Sequence, residues 1–368
     1  MSNTFLTVNE IAKESLMRLQ NNLVMGGLVY TDFSDEFSNK GDTVNVRKPA
    51  TFVAKDFTNA TETQGINEGA VPVKLDKIAD VTVEVTSKQL GLNVQDFGSQ
   101  VIDGAMQALA QKIDADLLSL YKDIPHASGT AGQTPKALAD IANAGKVLNN
   151  NKVPFGNRRL VLDPEAQASL VVLDAIAGAD KSGSTQALRD ANIGRVLGLD
   201  SYLDQNVYTH TKGTLDAGAT GTVDVSTDGT KVTVASGGNK GTVKKGDIVK
   251  FADVTGTYVV TSDAEMDATG AGTFNVYPAL KEDITTKKIT VTGSHVANLG
   301  FHRNAFALVN RPQALPMGGA EGYVANYNGL SIRVTMGYNM SSKVNTISFD
   351  ILYGVKTLDP DLAVRMLG

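Results

Sequence analysis

Apolar residues recur at three- and four-residue intervals near the start of the chain, at Val8, Ile11, Ala12, Leu16, Leu19 and Leu23. That spacing puts them on one stripe of a helix, and Thr7 followed by Glu10 has the capping-box spacing that would start it. Gly26 and Gly27 then break the pattern. Residues 1–28 therefore read as an arm hinged to the body, with Leu16 and Leu19 awaiting cover from a neighbour. The period next changes to two. Val44 and Val46 alternate with polar residues, as do Val81, Val83 and Val85, and the stretch from Lys55 to Gly69 between them is polar. Such a long loop is uncommon inside a compact domain, so residues 29–86 are expected to form a projecting β-hairpin with its anchoring strands. A helical period returns within residues 87–127. From Val94 to Tyr121, Phe97, Val101, Ala105, Leu109, Ile113, Leu117 and Leu120 share one stripe, and a helix of that extent would span roughly 42 Å at the usual rise per residue. Pro125 and the turn-rich segment to Pro135 end it.

Residues 128–206 mix the two periods. A helix is expected near Pro135–Asn149, a strand at Arg159–Leu162, and a helix at Asp163-Pro164, where the aspartate caps and the proline takes the first helical position. Composition then shifts. Between 207 and 298 there is no arginine and the only leucines are Leu215 and Leu280, while TVDVS, KVTVA, DIVKF, TYVVT, FNVYP and KITVT alternate between turn pairs such as Asp228-Gly229 and Gly237-Gly238. Short, evenly spaced runs of this kind predict a small barrel or sandwich. Leu- and Arg-containing sequence resumes at Gly300, so the block reads as an insertion, with the parent lobe continuing through 299–330. In residues 331–368, Ile332, Val334 and Met336 form one alternating strand and Ile347, Phe349, Ile351, Tyr353 and Val355 another. These should pair as a hairpin against the long helix. The fold class is α+β.

Composition narrows the function. With 368 residues, 42% hydrophobic and 20% charged, the chain can bury a substantial core and form more than one domain. Its net charge is −5, with Lys and Arg scattered rather than striped, so sequence-specific nucleic-acid binding is not expected. The absence of cysteine removes disulfides, thiolate metal sites and cysteine nucleophiles. The opening MSNTFLTVNEIAKESLMRL has no basic region followed by an apolar run, so a secretory signal is not expected. The apolar stretch Ala168–Ala179 is broken by Asp174 and is shorter than the ~20 residues of a membrane span.

Candidate chemistry adds little. His126, His210, His295 and His302 stand in no metal-ligand spacing, and His302 is expected to pack or hydrogen-bond. Gly241 to Asp247 has the paired glycines of a phosphate loop, but Asp247 stands where that loop needs lysine, so a β-turn is expected. Asp263, Glu265 and Asp267 alternate like the start of a calcium loop but lack its later glycine and glutamate. No G-x-S-x-G elbow is present. The expectation is therefore no catalytic, cofactor-binding or metal site.

Three segments carry a family resemblance: GRVLGLDSYLDQNV (Gly194–Val207), TVKKGDIVKFADV (Thr242–Val254) and NLGFHRNAFALVNRP (Asn298–Pro312). With the element order around them, the chain resembles the tailed-phage capsid fold known from the Hong Kong 97 coat protein. More narrowly, it is similar to the P twenty-two-type coat proteins of podoviruses, whose axial domain carries an insertion domain. The resemblance implies an N-arm, an extended β-loop, a peripheral domain on a spine helix and an axial domain split by a small all-β barrel. It also implies a non-enzymatic major capsid protein, assembled in the bacterial host cytoplasm into hexamers and pentamers of an icosahedral virion shell around double-stranded DNA. A scaffolding protein and a portal are the implied partners, and a decoration protein is a further candidate. On this reading Leu16, Leu19, Lys244, Lys245, Asp247, Asp263, Glu265 and Asp267 are candidate assembly contacts, although the charged ones also fit solvated hairpin ends. Lys55, Lys74 and Lys77 on the expected loop read as solvated lysines rather than cross-linking residues. A bacterial nanocompartment shell shares the fold. A soluble enzyme or sugar-binding protein with an appended β-domain is the reading from a different class; it would need convergent polar residues in a pocket.

Overall fold

Long alternating strands and one inserted block of short ones sort the chain into two units, residues 1–113 with 307–358 and residues 114–306 with 359–368. The computed structural model describes residues 7–32, 39–47, 69–85, 98–183, 185–215, 218–235, 240–316, 321–327, 329–339 and 344–368. The expected loop tip at 48–68 and the expected helix start at 94–97 lie outside these.

The first unit is built on a six-stranded sheet. Its order is Tyr30–Asp32, Phe306–Arg311, Val344–Thr357, Leu330–Asn339 and Glu321–Tyr327, with Lys77–Val85 also pairing to Val344–Thr357. The strongly alternating residues face inward: Ile332, Val334, Ile347, Phe349, Ile351 and Tyr353 are all buried. Across the register, Arg333 sits opposite Asp350 and grips its carboxylate from Nε at 2.9 Å and Nη2 at 3.0 Å, the two-pronged geometry that makes such pairs strong. Thr43–Arg47 and Ala70–Lys74 form an antiparallel hairpin, with Thr43 opposite Lys74 and Arg47 opposite Ala70. The hairpin expected from alternation thus forms, but its return strand is Ala70–Lys74, whereas Val81, Val83 and Val85 pair with Val344–Thr357.

The first helix, Val8–Asn22, opens with the expected capping box: Thr7 Oγ1 accepts from the Glu10 amide and Glu10 Oε2 accepts from the Thr7 amide at 3.1 Å. Its apolar stripe is not free. Ile11 and Leu19 are fully enclosed and Leu16 is 4% exposed, because the helix packs on the strands Glu321–Tyr327 and Leu330–Asn339. Arg18 is paired with Glu14 at 2.7 Å and with Asp103, and Gln20 Nε2 donates to the Tyr327 carbonyl at 3.0 Å. The arm reading is corrected here, since an apolar sheet face of the same chain covers the stripe without a second subunit. The sequence also names the long helix as cover for the terminal strand pair, and on Leu330–Asn339 the first helix supplies it. The long helix is Asp103–Leu118, preceded by a π-helical turn at Gly98–Ile102 and followed by a tight turn at Ser119–Asp123. Ala105, Leu109, Ile113 and Leu117 are buried along it as expected.

The second unit is a mixed lobe. Its sheet runs Ala127–Gly129, Ala363–Leu367, His295–His302, Arg158–Leu162, Leu199–Leu203 and Arg195–Val196, with Thr209–His210 also on His295–His302. Helix Leu138–Asn150 packs on Ala127–Gly129 and Ala363–Leu367 and contributes Ile141, Ala144 and Leu148 to a core with Leu160, Leu162, Val364 and Met366. Helix Pro164–Val171 starts as the sequence requires, Asp163 accepting from the Glu165 amide at 3.1 Å. Two boundaries move. Residues from Ala307 belong to the first unit and residues from Asp359 to the second, so neither 299–330 nor 331–368 is one structural piece. The strands responsible, Phe306–Arg311 and Ala363–Leu367, are buried at every position, and a strand without a solvent-exposed face belongs inside a sheet rather than at its edge.

The inserted block closes into a six-stranded barrel: Thr220–Val223, Lys231–Val234, Gly272–Tyr277, Tyr258–Val260, Ile248–Phe251 and Ile284–Val291, which returns to the first. Inward positions such as Val232, Val234, Phe251, Phe274, Val276 and Ile289 make a core of its own. Closure leaves no open sheet edge, the usual liability of short strands. The ends of the expected block, 207–298, hold lobe strands rather than barrel, for Thr209–His210 pairs with His295–Val296. That pairing brings the two ends of the insertion side by side, as insertion into a continuing lobe requires. Residues 213–293 expressed alone should give a dispersed amide spectrum and one cooperative unfolding transition; an undispersed spectrum would show that the barrel depends on its parent.

Candidate functional site

In the second unit several buried polar groups converge at the turn Lys244–Asp247, where the barrel meets the lobe. Asp247 is completely buried. Its carboxylate accepts from His210 Nε2 at 2.9 Å, from the Gly213 amide at 3.0 Å and from the Lys244 amide at 2.8 Å. Because a carboxylate only accepts, His210 carries its proton on Nε2, and Nδ1 is left to accept from the Tyr121 hydroxyl at 3.0 Å. Hydroxyl, imidazole and carboxylate thus line up in the order used by nucleophilic enzymes. Here the hydroxyl is sealed: Tyr121 is 3% exposed and burial raises its pKa, so the chain is a structural relay rather than an activated nucleophile.

Arg365 closes the other side. It is fully buried, donates from Nε and Nη2 to the Ile124 carbonyl at 2.9 and 2.7 Å, and donates from Nη1 to the Gly246 carbonyl at 2.7 Å. Its guanidinium lies 5.3 Å from the centre of the Tyr121 ring, within cation–π range. Burial pulls its pKa down to about 9, with Tyr121, Asp123 and Asp247 pulling the other way, which leaves it cationic at neutral pH. Gly246 has φ +98°, and a Cβ there would stand 2.9 Å from Lys122 Cγ. Glycine is thus required both for the left-handed turn and for its close approach to the lobe. Lys245 Nζ reaches Asp123 at 2.9 Å.

This geometry corrects the reading of the charged turns. Lys244 is exposed, but Asp247 is core and Lys245 holds the barrel to its own lobe. Asp263 joins the same cluster by accepting from the Lys245 amide at 2.6 Å, and Glu265 stands opposite Thr242 on a two-strand ribbon. Asp267 serves a separate loop. It accepts from the Thr269 hydroxyl at 2.6 Å and the Ala271 amide at 2.9 Å, and these bonds, the hydroxyl first, lower its pKa. Leu16 and Leu19 lie in the first unit, inside its core. Among the described residues no three metal-ligating side chains converge. His302 Nδ1 accepts from the Asn304 amide at 3.2 Å, the hydrogen-bonding role expected of it.

Sequence reasoning missed Tyr121, His210, His295 and Arg365. A signal was present for two of them: His210 and His295 bracket the Leu- and Arg-poor block, and they are cross-strand partners with ring centroids 5.2 Å apart. Nothing local marks Tyr121 or Arg365, whose partners are far away in the chain.

No family model and no curated protein matches the chain. Among solved structures it is similar to one from Mycobacterium phage Che8, at 16% identity over 99% of this chain and 92% of that one, with a TM-score of 0.46. It is also similar to the capsid of Ralstonia phage GP4, at 11% identity over 93% and 87% of the two chains and a TM-score of 0.47. The third likeness is to a virus-like particle from Pyrococcus furiosus, at 10% identity over 97% and 98% of the two chains and a TM-score of 0.41.

Proposed function

We propose that this chain is a non-enzymatic coat subunit of a tailed-phage capsid, of the podovirus type whose axial domain carries an inserted barrel. The observation that carries the reading is the insertion itself. A closed six-stranded barrel leaves and re-enters a mixed lobe through the paired ends Thr209–His210 and His295–Val296. In the same chain the first unit combines a long-stranded sheet with an antiparallel hairpin. The insertion and the hairpin are the two features that support this reading.

The surface supports the reading. At one end of the lobe, cavities of about 440 and 350 Å³ share Asn192, Ile193, Gly194 and Arg195, and the exposed side chains Leu197, Tyr202 and Leu203 line them. A lone subunit leaves that apolar area in water, whereas copies closing into a shell cover it. Lys244, Glu265 and Asp267 are exposed and stay as candidate contacts between subunits. Hexamers and pentamers of the chain, a scaffolding protein, a portal and a decoration protein are the partners that belong to this reading. Co-expression with the scaffolding protein, followed by sedimentation and negative-stain microscopy, should yield closed shells or polyheads. Monomers and small oligomers alone, with scaffold present, would sink the proposal.

A further inference from the structure

One polar atom at the junction is left over from the hydrogen bonds described. His295 is 2% exposed, and its Nδ1 donates to the Gly293 carbonyl at 2.8 Å. The carbonyl can only accept, so the proton is on Nδ1 and Nε2 is a bare lone pair. That Nε2 is buried with no hydrogen-bond partner among the described residues. Charged and titratable groups face the ring from the elements around it: Arg365 from the last strand, His210 from the paired strand and Asp247 from the turn. Tyr121 and Asp123 lie behind Arg365. A proton arriving on Nε2 would gain no acceptor among the described residues, would meet the cationic Arg365, and would find the Asp247 carboxylate already engaged by three donors.

We propose that His295 makes the seat of the barrel proton-sensitive: while neutral it lets the turn Lys244–Asp247 lie closed on the lobe, and once protonated it drives that turn off while barrel and lobe remain folded. The turn is the part that gives way because side chains hold it there, through His210 to Asp247, Arg365 to Gly246 and Lys245 to Asp123. The barrel and the lobe sheet are instead held by backbone ladders.

The electrostatics agree in direction. Burial first, then Arg365 and His210, hold His295 at about 4 against an ordinary 6.5, with the Gly293 carbonyl and Asp247 pulling the other way. A depressed histidine favours the closed form fully above pH 6.5. The open form, with a solvated imidazole, takes up the proton as pH falls from 6.5 towards 4, so closure weakens across that window. At pH 5 the opening equilibrium should be about 30-fold larger than at pH 7.5.

The test is amide exchange of the full, unassembled chain at pH 7.5 and 5.0, corrected for intrinsic rates. Exchange at Gly213, whose amide donates to Asp247, should rise about 30-fold, while Val232 and Val249 in the barrel and Leu160 in the lobe stay protected. His295→Gln and His295→Phe should abolish the rise, and the control His126→Gln should keep it. No acid effect at Gly213, an equal rise in the His295 variants, or an equal rise throughout the barrel would each overturn the proposal. Should both variants fail to fold, the imidazole resonance of His295 in the unaltered protein decides: titration near 4 supports the latch and titration above about 6 rejects it. Because the subunit is unassembled, the result does not depend on whether shells form.

Discussion

Replacing Leu16 and Leu19 together by aspartate should abolish the cooperative unfolding of the subunit. The two side chains are 4% and 0% exposed beneath the first helix. Each replacement forfeits roughly 2–3 kcal/mol of apolar burial, and each puts a carboxylate into that core, at several kcal/mol more. The sum approaches the whole stability of a typical domain, about 5–15 kcal/mol. Urea unfolding followed by far-UV circular dichroism should lose its sigmoidal transition, and the protein should be found in aggregates. A soluble variant with an unchanged midpoint that merely assembles poorly would restore the arm reading and remove this helix from the core. The milder Met17→Ala is the internal control. Met17 is 53% exposed on the same helix, so its loss should shift stability by less than about 0.5 kcal/mol.

That helix marks the limit of what the chain discloses locally. Its capping box, stripe and length are all legible, because each depends on residues within four positions. What covers the stripe is not, because Glu321–Tyr327 lies some three hundred positions away. The same division holds elsewhere. The alternating strands at 331–355 and the barrel runs are readable from their period, and Asp163-Pro164 caps the helix it announces. The strands Phe306–Arg311 and Ala363–Leu367, buried at every position, show no alternation, so their sheets could not be assigned and the unit boundaries at 307 and 359 went unseen. The turn Lys244–Asp247 failed for a different reason. Two lysines, a glycine and an aspartate between strands have the composition of a solvated hairpin end, and only the arrival of His210, Arg365 and Lys122 turns Asp247 and Gly246 inward.

Asp247→Ala follows from that inversion and should cost about 3–5 kcal/mol, the usual penalty for removing one member of a buried charged network. The loss is large because three donors are stranded at once: His210 Nε2, the Gly213 amide and the Lys244 amide. Each orphaned donor carries a desolvation cost of about 1–3 kcal/mol when water cannot reach it. Asp247→Asn retains a carbonyl acceptor and should fall between alanine and the parent. Lys244→Glu, at an exposed position of the same turn, should stay within about 0.5 kcal/mol. Chemical denaturation of the full chain orders the three variants. The barrel expressed alone supplies the decisive contrast, because it lacks His210 and the lobe. There Asp247→Ala should cost markedly less, since the His210 donor is gone and water reaches the turn that the lobe no longer covers. Equal losses in the full chain and the isolated barrel would mean that Asp247 merely stabilises its own turn, and that the His210 relay contributes nothing to seating the barrel on the lobe.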